Sequence, residues 1–329
     1  MDHKLYSKVL GCLCGGLIGD AMGAPVENLT WRQIEEKYGI VDDFEGDGTD
    51  DSAIKLILCD AILNHQGRVT ADEFAESFLK LEGKYRHLFY IPVKNMLEKV
   101  KGELVLPVYA GVGNMQSSSS AMAISPMGII NAGDPGRAAA ETYDVAGLIH
   151  AGEATFCRDA ACAMAAAVAE AMNPEADVVS VLETSVRYLH RKSSGEMIGC
   201  IRKMTDYARA CGDYKRFRDW VYDGHLCMVT CDSRETVSVA LSLFYLGGGD
   251  PEKTILYAVN FGRDADTIGT MAGALAGAFA GAEAIKPQWF EKLKSCNDQS
   301  TLAEQLCGIV RLRAEQERKH LLMLEEMMK

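Results

Sequence analysis

The chain has 329 residues, 48% of them hydrophobic, with 8 prolines and a formal charge of −12. That is apolar material for one large core, and no stretch reads as a linker, so a single domain is expected over 1–329, with 298–329 as a C-terminal helical extension. The negative balance and the lack of a basic patch argue against nucleic acid as a partner, whose phosphates such a surface repels.

The N-terminal stretch VLGCLCGGLIGDAMGAPVE carries Gly11, Gly15, Gly19 and Gly23 four residues apart. This spacing strips one helix face of side chains, although each helical glycine costs about 1 kcal/mol against alanine. The apolar run Val9 to Ile18 after Lys8 mimics a signal peptide, but Asp20 and the glycine face suit a core helix better. The run is also too short to span a bilayer, so no membrane partner is expected. Eleven cysteines, mostly in apolar helical runs (Cys12, Cys14, Cys59, Cys162, Cys200), point to buried thiols and a reducing, cytoplasmic setting.

Thr30 offers an N-cap to WRQIEEKYG, which Gly39 closes. GDGTDDS then opens a helix from Thr49 to His65 whose apolar face is Ala53, Ile54, Ile57, Leu58, Ala61 and Ile62. Thr70 with Glu73 forms a capping box for ADEFAESFLKLEG, and Tyr90 to Lys101 reads as helix with Pro92 in its first turn. Glu103 to Pro126 reads as a glycine- and serine-rich loop around Ser117 to Ser120. Asp134-Pro135 opens a helix running toward His150, and Ala154 to Met172 is an alanine-rich core helix. Further helices are predicted at Asp177 to Tyr188, Gly195 to Ala210, Arg216 to Tyr222, Ser233 to Leu246, Pro251 to Val259, Ala265 to Gly281 and Pro287 to Leu293. The last stretch, Leu302 to Met328, reads as a solvated terminal helix or, alternatively, as a contact that makes a homo-oligomer. No alternating segment requires a strand and no repeat of fixed length occurs, so the fold class is all-α and not a solenoid.

Glycine returns at Gly269, Gly273, Gly277 and Gly281. Two bare faces packed antiparallel would bring Asp20 and Glu27 beside Asp264 and Asp266, from opposite ends of the chain. Thr49, Asp50 and Asp51 open one helix, and Asp264, Asp266 and Thr267 open another. One acidic helix start has an ordinary explanation, since it offsets the dipole by roughly 0.3 to 1 kcal/mol. Two such starts supply an all-oxygen donor set for a pair of hard divalent ions, Mg²⁺ or Mn²⁺, whose charge balances four carboxylates. An EF-hand starting at Asp43 fails because Ile54 stands where a bidentate glutamate belongs. Zinc at His225, Cys227 and Cys231 lacks a fourth ligand at standard spacing.

GDAMGAPVE, then GTDDS heading a helix, then GRDADTIGTMAGALAGAFAG followed by IKPQWFEKL, resemble the ADP-ribosylglycohydrolase family in the family's order, from Leu10 to about Leu293. The resemblance implies a compact, orthogonal multi-helix domain with two Mg²⁺ or Mn²⁺ ions that cleaves the bond from ribose C1 to an acceptor in small-molecule or protein-linked ADP-ribosyl substrates. By motif, Thr49, Asp50 and Asp51 match one ligand group and Asp264, Asp266 and Thr267 the other. Glu27 falls where a glutamate approaches the scissile ribose, and His150 in GLIHAGE matches a histidine near the substrate, with a helix cap or a satisfied core residue as the competing reading of a lone histidine at a helix end. Glu27, Asp50, Asp51 and Asp264 are the carboxylates placed to accept a proton from water.

Three departures from the family pattern bear on the substrate. Ala123 stands where an arginine contacts the diphosphate, so the ADP half of the ligand has lost one contact. The loop GNMQSSSS, from Gly113 through Ser118 and Ser119, offers hydroxyls and N–H groups to a phosphate, with a flexible polar loop as the competing reading. Arg263 replaces the second glycine before the second metal motif, to pair with an anionic ligand or face solvent; Asp232 or Arg234 lines the pocket or Asp232 merely caps a helix. Three readings of function follow: a glycohydrolase of ADP-ribosyl conjugates, a hydrolase of a simpler riboside, or a non-catalytic, crystallin-like relative that keeps the scaffold.

Overall fold

A computed structural model describes residues 3–329, and its regular elements are all helices; among the described residues extended pairing is limited to isolated bridges, Thr30 with Gly262 and Val112 with Ala151. The first half contains α1 (His3–Gly23), α2 (Trp31–Tyr38), α3 (Asp50–Asn64), α4 (Ala71–Tyr85), α5 (Ile91–Lys101), α6 (Ser125–Ile130), α7 (Pro135–Val145) and α8 (Thr155–Ala171). The second contains α9 (Val178–Arg187), α10 (Gly195–Cys211), α11 (Tyr214–Tyr222), α12 (Ser233–Leu246), α13 (Pro251–Val259), α14 (Ala265–Ala280), α15 (Pro287–Cys296) and α16 (Ser300–Met327). The helices start where local chemistry provides for their free N–H groups. Thr30 with Gln33 and Thr70 with Glu73 form capping boxes, and Thr49, Asp177 and Asp232 cap α3, α9 and α12 through their side chains.

At the centre, α1 and α14 run antiparallel with their backbones in contact. Gly11, Gly15 and Gly19 face Gly277, Gly273 and Gly269 in turn. A Cβ on Gly15 would lie 2.9 Å from the carbonyl carbon of Gly273 and closer still to its oxygen. The glycine spacing is thus explained by close approach, which recovers in packing what the glycines lose in helix propensity. Lys8 closes the far end of the pair: its buried ammonium donates to the carbonyls of Ala171, Ala278 and Phe279, satisfying the open C-terminal turns of α8 and α14. Burial there pushes the Lys8 pKa down to about 8. The alanine-rich α8 packs against α6, α7, α9, α12 and α14, and α12 and α13 cover the remaining side of α14.

Two expectations change. The N-terminal helix is longer than its apolar run: the stretch His3–Val26 is long and apolar enough to cross a membrane, but 89% of its apolar window is buried inside the fold. The serine segment is no flexible loop, since Ser117, Ser118, Ser119 and Ser120 are all buried. The first half of α16 packs on α1, α3 and α6, and Arg313 pins it to Glu141, Asn131 and the carbonyl of Gly67.

Candidate active site

The start of α3 is built around Asp20 of α1. This fully buried carboxylate accepts from the Thr49 N–H at 3.0 Å, the Thr49 hydroxyl at 2.9 Å and the Ser52 N–H at 3.0 Å, and from the Ser52 hydroxyl. Gly48 lets the chain wrap this closely: its φ is +96°, and a Cβ would collide with the Asp20 carboxylate. Asp20 therefore shapes the GTDDS turn from beneath and does not face the cleft. Lys55, one turn further along α3, donates to the Thr270 hydroxyl at 2.9 Å and ties α3 to α14. The start of α14 is positioned by the glycine seam, because Gly23 abuts the backbone of Asp266.

Between these starts lies a cleft of about 430 Å³. Glu27, Thr49, Asp50, Asp51, Asp264, Asp266 and Thr267 form its floor, and Ser118, Ser119, Tyr90, Met122 and Cys231 are among its walls. Oxygen atoms of Glu27, Asp264 and Asp266 lie within 4.8 Å of one another. The Thr49 and Thr267 hydroxyls each reach one Asp51 oxygen, at 3.4 Å. Asp264 begins α14 without using its carboxylate as a cap; that group instead accepts from the Ser118 hydroxyl at 3.0 Å. Oδ1 of Asp51 and Oδ1 of Asp266 are buried with no hydrogen-bond partner. Unpartnered buried carboxylate oxygens are costly, and here the surrounding donors are all oxygen, the set that hard divalent cations take. The residues present fit such ions.

A family model described as ADP-ribosylglycohydrolase matches residues 1–319. The chain belongs to the ADP-ribosylglycohydrolase family. It is 26% identical over 307 residues to the ADP-ribosyl-[dinitrogen reductase] glycohydrolase of Rhodospirillum rubrum, covering 88% of this chain and 91% of that protein. An Archaeoglobus fulgidus protein is 28% identical over 314 residues, covering 92% and 96%; it is named only as uncharacterized. Escherichia coli (strain K12) YegU, likewise named as uncharacterized, is 25% identical over 318 residues, covering 88% and 92%. A chain of a solved ADP-ribosylglycohydrolase-related protein complex has the same fold, with a TM-score of 0.70 at 22% identity over 93% of this chain and 99% of that one.

The acidic floor of the cleft has unusual proton affinities. Burial, reinforced by Asp20, pushes Asp50 up to about 6. Burial and the neighbouring Glu27 lift Asp264 to about 7 against the pull of the Ser118 hydrogen bond. Asp51 and Asp266 are raised well above the carboxylate range by burial first, then by Asp266 and Asp264 respectively. An unfolded aspartate titrates near 3.9, so the folded protein holds extra protons from about pH 4 upward, and stability must fall as pH rises through the folded values. Above about pH 6.5, where a histidine buried neutral adds no opposing slope, metal-free protein should accordingly melt progressively lower toward pH 8, with the loss levelling off only after the most strongly raised carboxylates have ionised. A melting series in chelator-treated buffers checks this, and a melting point that climbs across that window contradicts it.

Not every residue expected from the sequence reaches the cleft. His150 is fully buried behind the serine segment, its ring nitrogens 3.1 Å from the Ser117 hydroxyl and 2.6 Å from that of Ser120. Burial pushes its pKa down to about 4, so the imidazole is neutral and braces the segment that presents Ser118 and Ser119. Gly113 is exposed, has a φ of +79° and does not line the cleft; the turn needs it for conformation. Asp232 caps α12 and pairs with Arg234, and neither is among the cleft residues. His225 stacks on Trp220, while Cys231 lines the cleft beside Tyr90, so the zinc trio is not assembled. All eleven cysteines are free, yet Cys200, Cys211, Cys227 and Cys231 are half-buried and Cys296 is exposed. Asn28, Leu88, Phe89, Tyr90, Met122 and Thr230 were not legible as cleft residues, because each arrives from a loop or helix end with no motif of its own.

Arg263 turns inward and does not line the cleft. Its guanidinium is bound to the buried carboxylate of Glu235, with contacts of 2.8 and 3.0 Å, and to the Cys227 carbonyl. Its backbone sits at φ +65°, the left-handed region where glycine is favoured, and exchanges hydrogen bonds with the 28–29 segment that follows Glu27. Arg263→Ala should cost about 3 to 5 kcal/mol by stranding Glu235. The double variant R263A/E235Q should recover most of it in chemical denaturation; equal losses in both would remove the ion pair as the cause.

Proposed function

We propose that the protein is a glycohydrolase dependent on two Mg²⁺ or Mn²⁺ ions, acting in the cytoplasm on the C1 bond of ADP-ribosylated or related ribosylated compounds. The observation that carries this reading is the pair of unpartnered oxygens on Asp51 and Asp266, buried on facing helix starts. Thr49, Asp50, Asp51, Asp264, Asp266 and Thr267 are the residues that would hold the ions. When bound, such ions supply positive charge to ribose hydroxyls and to a water molecule.

The remaining chemistry falls to side chains. Glu27 stands exposed at the cleft beside Asp264, and these carboxylates are placed to accept a proton from water. The water oxygen bonds to C1, the bond from C1 to the acceptor breaks, and the proton taken by the carboxylate passes to the departing nitrogen or oxygen. Ser118 holds Asp264 in place, and Tyr90, Leu88 and Met122 give the substrate an apolar wall.

A simpler riboside is favoured as the competing substrate by one specific observation. The cleft is lined by acids, hydroxyls and apolar groups with no lysine or arginine among the described residues, while the nearby Arg234 and Arg263 are engaged by Asp232 and Glu235. The test is a panel of arginine-linked, serine-linked and nucleoside-linked ribosyl compounds, each with and without the ADP moiety. Release of ADP-ribose supports the first reading and release of ribose alone the second. Metal-loaded protein that binds ribosyl ligands without cleaving any of them would point to a non-catalytic scaffold.

A further inference from the structure

The helix α16 does more than close the fold. Arg313 is its last buried residue, and Glu317 lies 3.8 Å from Arg137. Beyond Glu317 no side chain of the helix forms a hydrogen bond or ion pair with the rest of the described chain, so residues 318–327 project as about 15 Å of helix. The family match ends at residue 319, which leaves the tip from residue 320 onward outside the matched part. Yet it is strongly apolar: Leu321, Leu322, Met323, Leu324, Met327 and Met328 are between 37% and 78% exposed. At 100° per residue, Leu321, Leu324 and Met328 fall on one stripe with Met323 and Met327 beside it. A contiguous apolar face of this kind on a soluble surface marks a contact.

The charges along the tip say which contact. Arg318, Lys319 and His320 precede the leucines, and Glu325 and Glu326 follow them. We infer that the tip pairs antiparallel with the same helix of a second copy, about a two-fold axis near Leu322. That arrangement brings the basic segment of each copy level with the acidic segment of the other, and sets Leu321 against Leu324 of the second copy. A parallel pair would set like charges together, and an acidic partner would leave Glu325 and Glu326 opposed. The interface is isologous, so every favourable pairing occurs twice. Its small extent makes the dimer one of micromolar affinity.

The test uses the whole chain in sedimentation velocity at about 50 µM, well above a micromolar Kd. The expected species has twice the 35.8 kDa of the chain. L321E/L324E should be a single copy with an unchanged main melting transition, because neither side chain is part of the buried core. R318E/K319E and E325K/E326K should each weaken self-association at least tenfold, and mixing them should restore a dimer made of one of each. Wild-type protein that stays a single copy, a dimer that survives L321E/L324E, or charge variants that fail to complement each other would overturn the proposal. So would single-copy protein that sediments with anionic phospholipid vesicles, since the face would then belong to a lipid surface.

Discussion

Asp266→Asn should raise the melting temperature of the metal-free protein and abolish the further rise that millimolar Mg²⁺ or Mn²⁺ gives the wild type. The two effects have opposite signs for one reason. Asp266 is buried within reach of Asp264 and Glu27, so removing its charge relieves repulsion when nothing offsets it. The same charge is what a divalent ion needs. An ion present at about 100 times its Kd stabilises by roughly 2.7 kcal/mol, or about 4 °C for a chain of this length, and the variant should forfeit that. Turnover should fall by roughly 10² to 10³, equal to about 3 to 4 kcal/mol of lost transition-state stabilisation. Differential scanning fluorimetry with and without chelator, followed by a product-release assay, reads both. A variant that still responds to Mg²⁺ like the wild type would remove the metal reading, and with it the proposed chemistry.

The second large effect belongs to the seam between α1 and α14. Gly19→Ala places a Cβ against the carbonyl and Cα of Gly269, where backbone meets backbone and no flexible side chain can yield. Overpacking of this kind costs about 1 to 3 kcal/mol or more, against which the roughly 1 kcal/mol gained in helix propensity counts little. The helices must part, and the cleft feels it, because the same seam sets the backbone of Asp266 against Gly23. Gly19→Ala should therefore lower the denaturation midpoint and weaken metal-dependent stabilisation together. Gly83→Ala in α4 and Gly199→Ala in α10 are the controls: an added Cβ meets nothing within 4 Å at either site, so both should be neutral or stabilising by up to about 1 kcal/mol. Equal destabilisation by all three would show that the seam is not special.

What the sequence disclosed, and what it hid, divides by range. The glycine spacing of α1 and α14 encodes its own partner, since a bare face tolerates little except another, and the antiparallel pairing could be read directly. Thr49, Asp50 and Asp51 and the Asp264 group were legible because each sits at a helix start that local rules fix. Which way His150 and Arg263 turn could not be read, because their directions are set by distant groups. The imidazole turns toward Ser117 and Ser120, and the guanidinium toward Glu235. Asp20 lay between these cases. Its placement near the two acidic helix starts was foreseen, but four donors from one turn make it the foundation of GTDDS, and only the folded backbone reveals that.

The seam also has a consequence for biosynthesis. Gly23 and Ala265 are separated by 242 positions (265 − 23 = 242), so the ribosome releases the first bare helix long before its complement exists. At about 5 to 20 residues per second, that interval is on the order of 12 to 50 s. Throughout it the nascent chain displays an unmated, highly apolar N-terminal segment, and chaperone capture should be most intense in this window and end abruptly once α14 emerges from the exit tunnel.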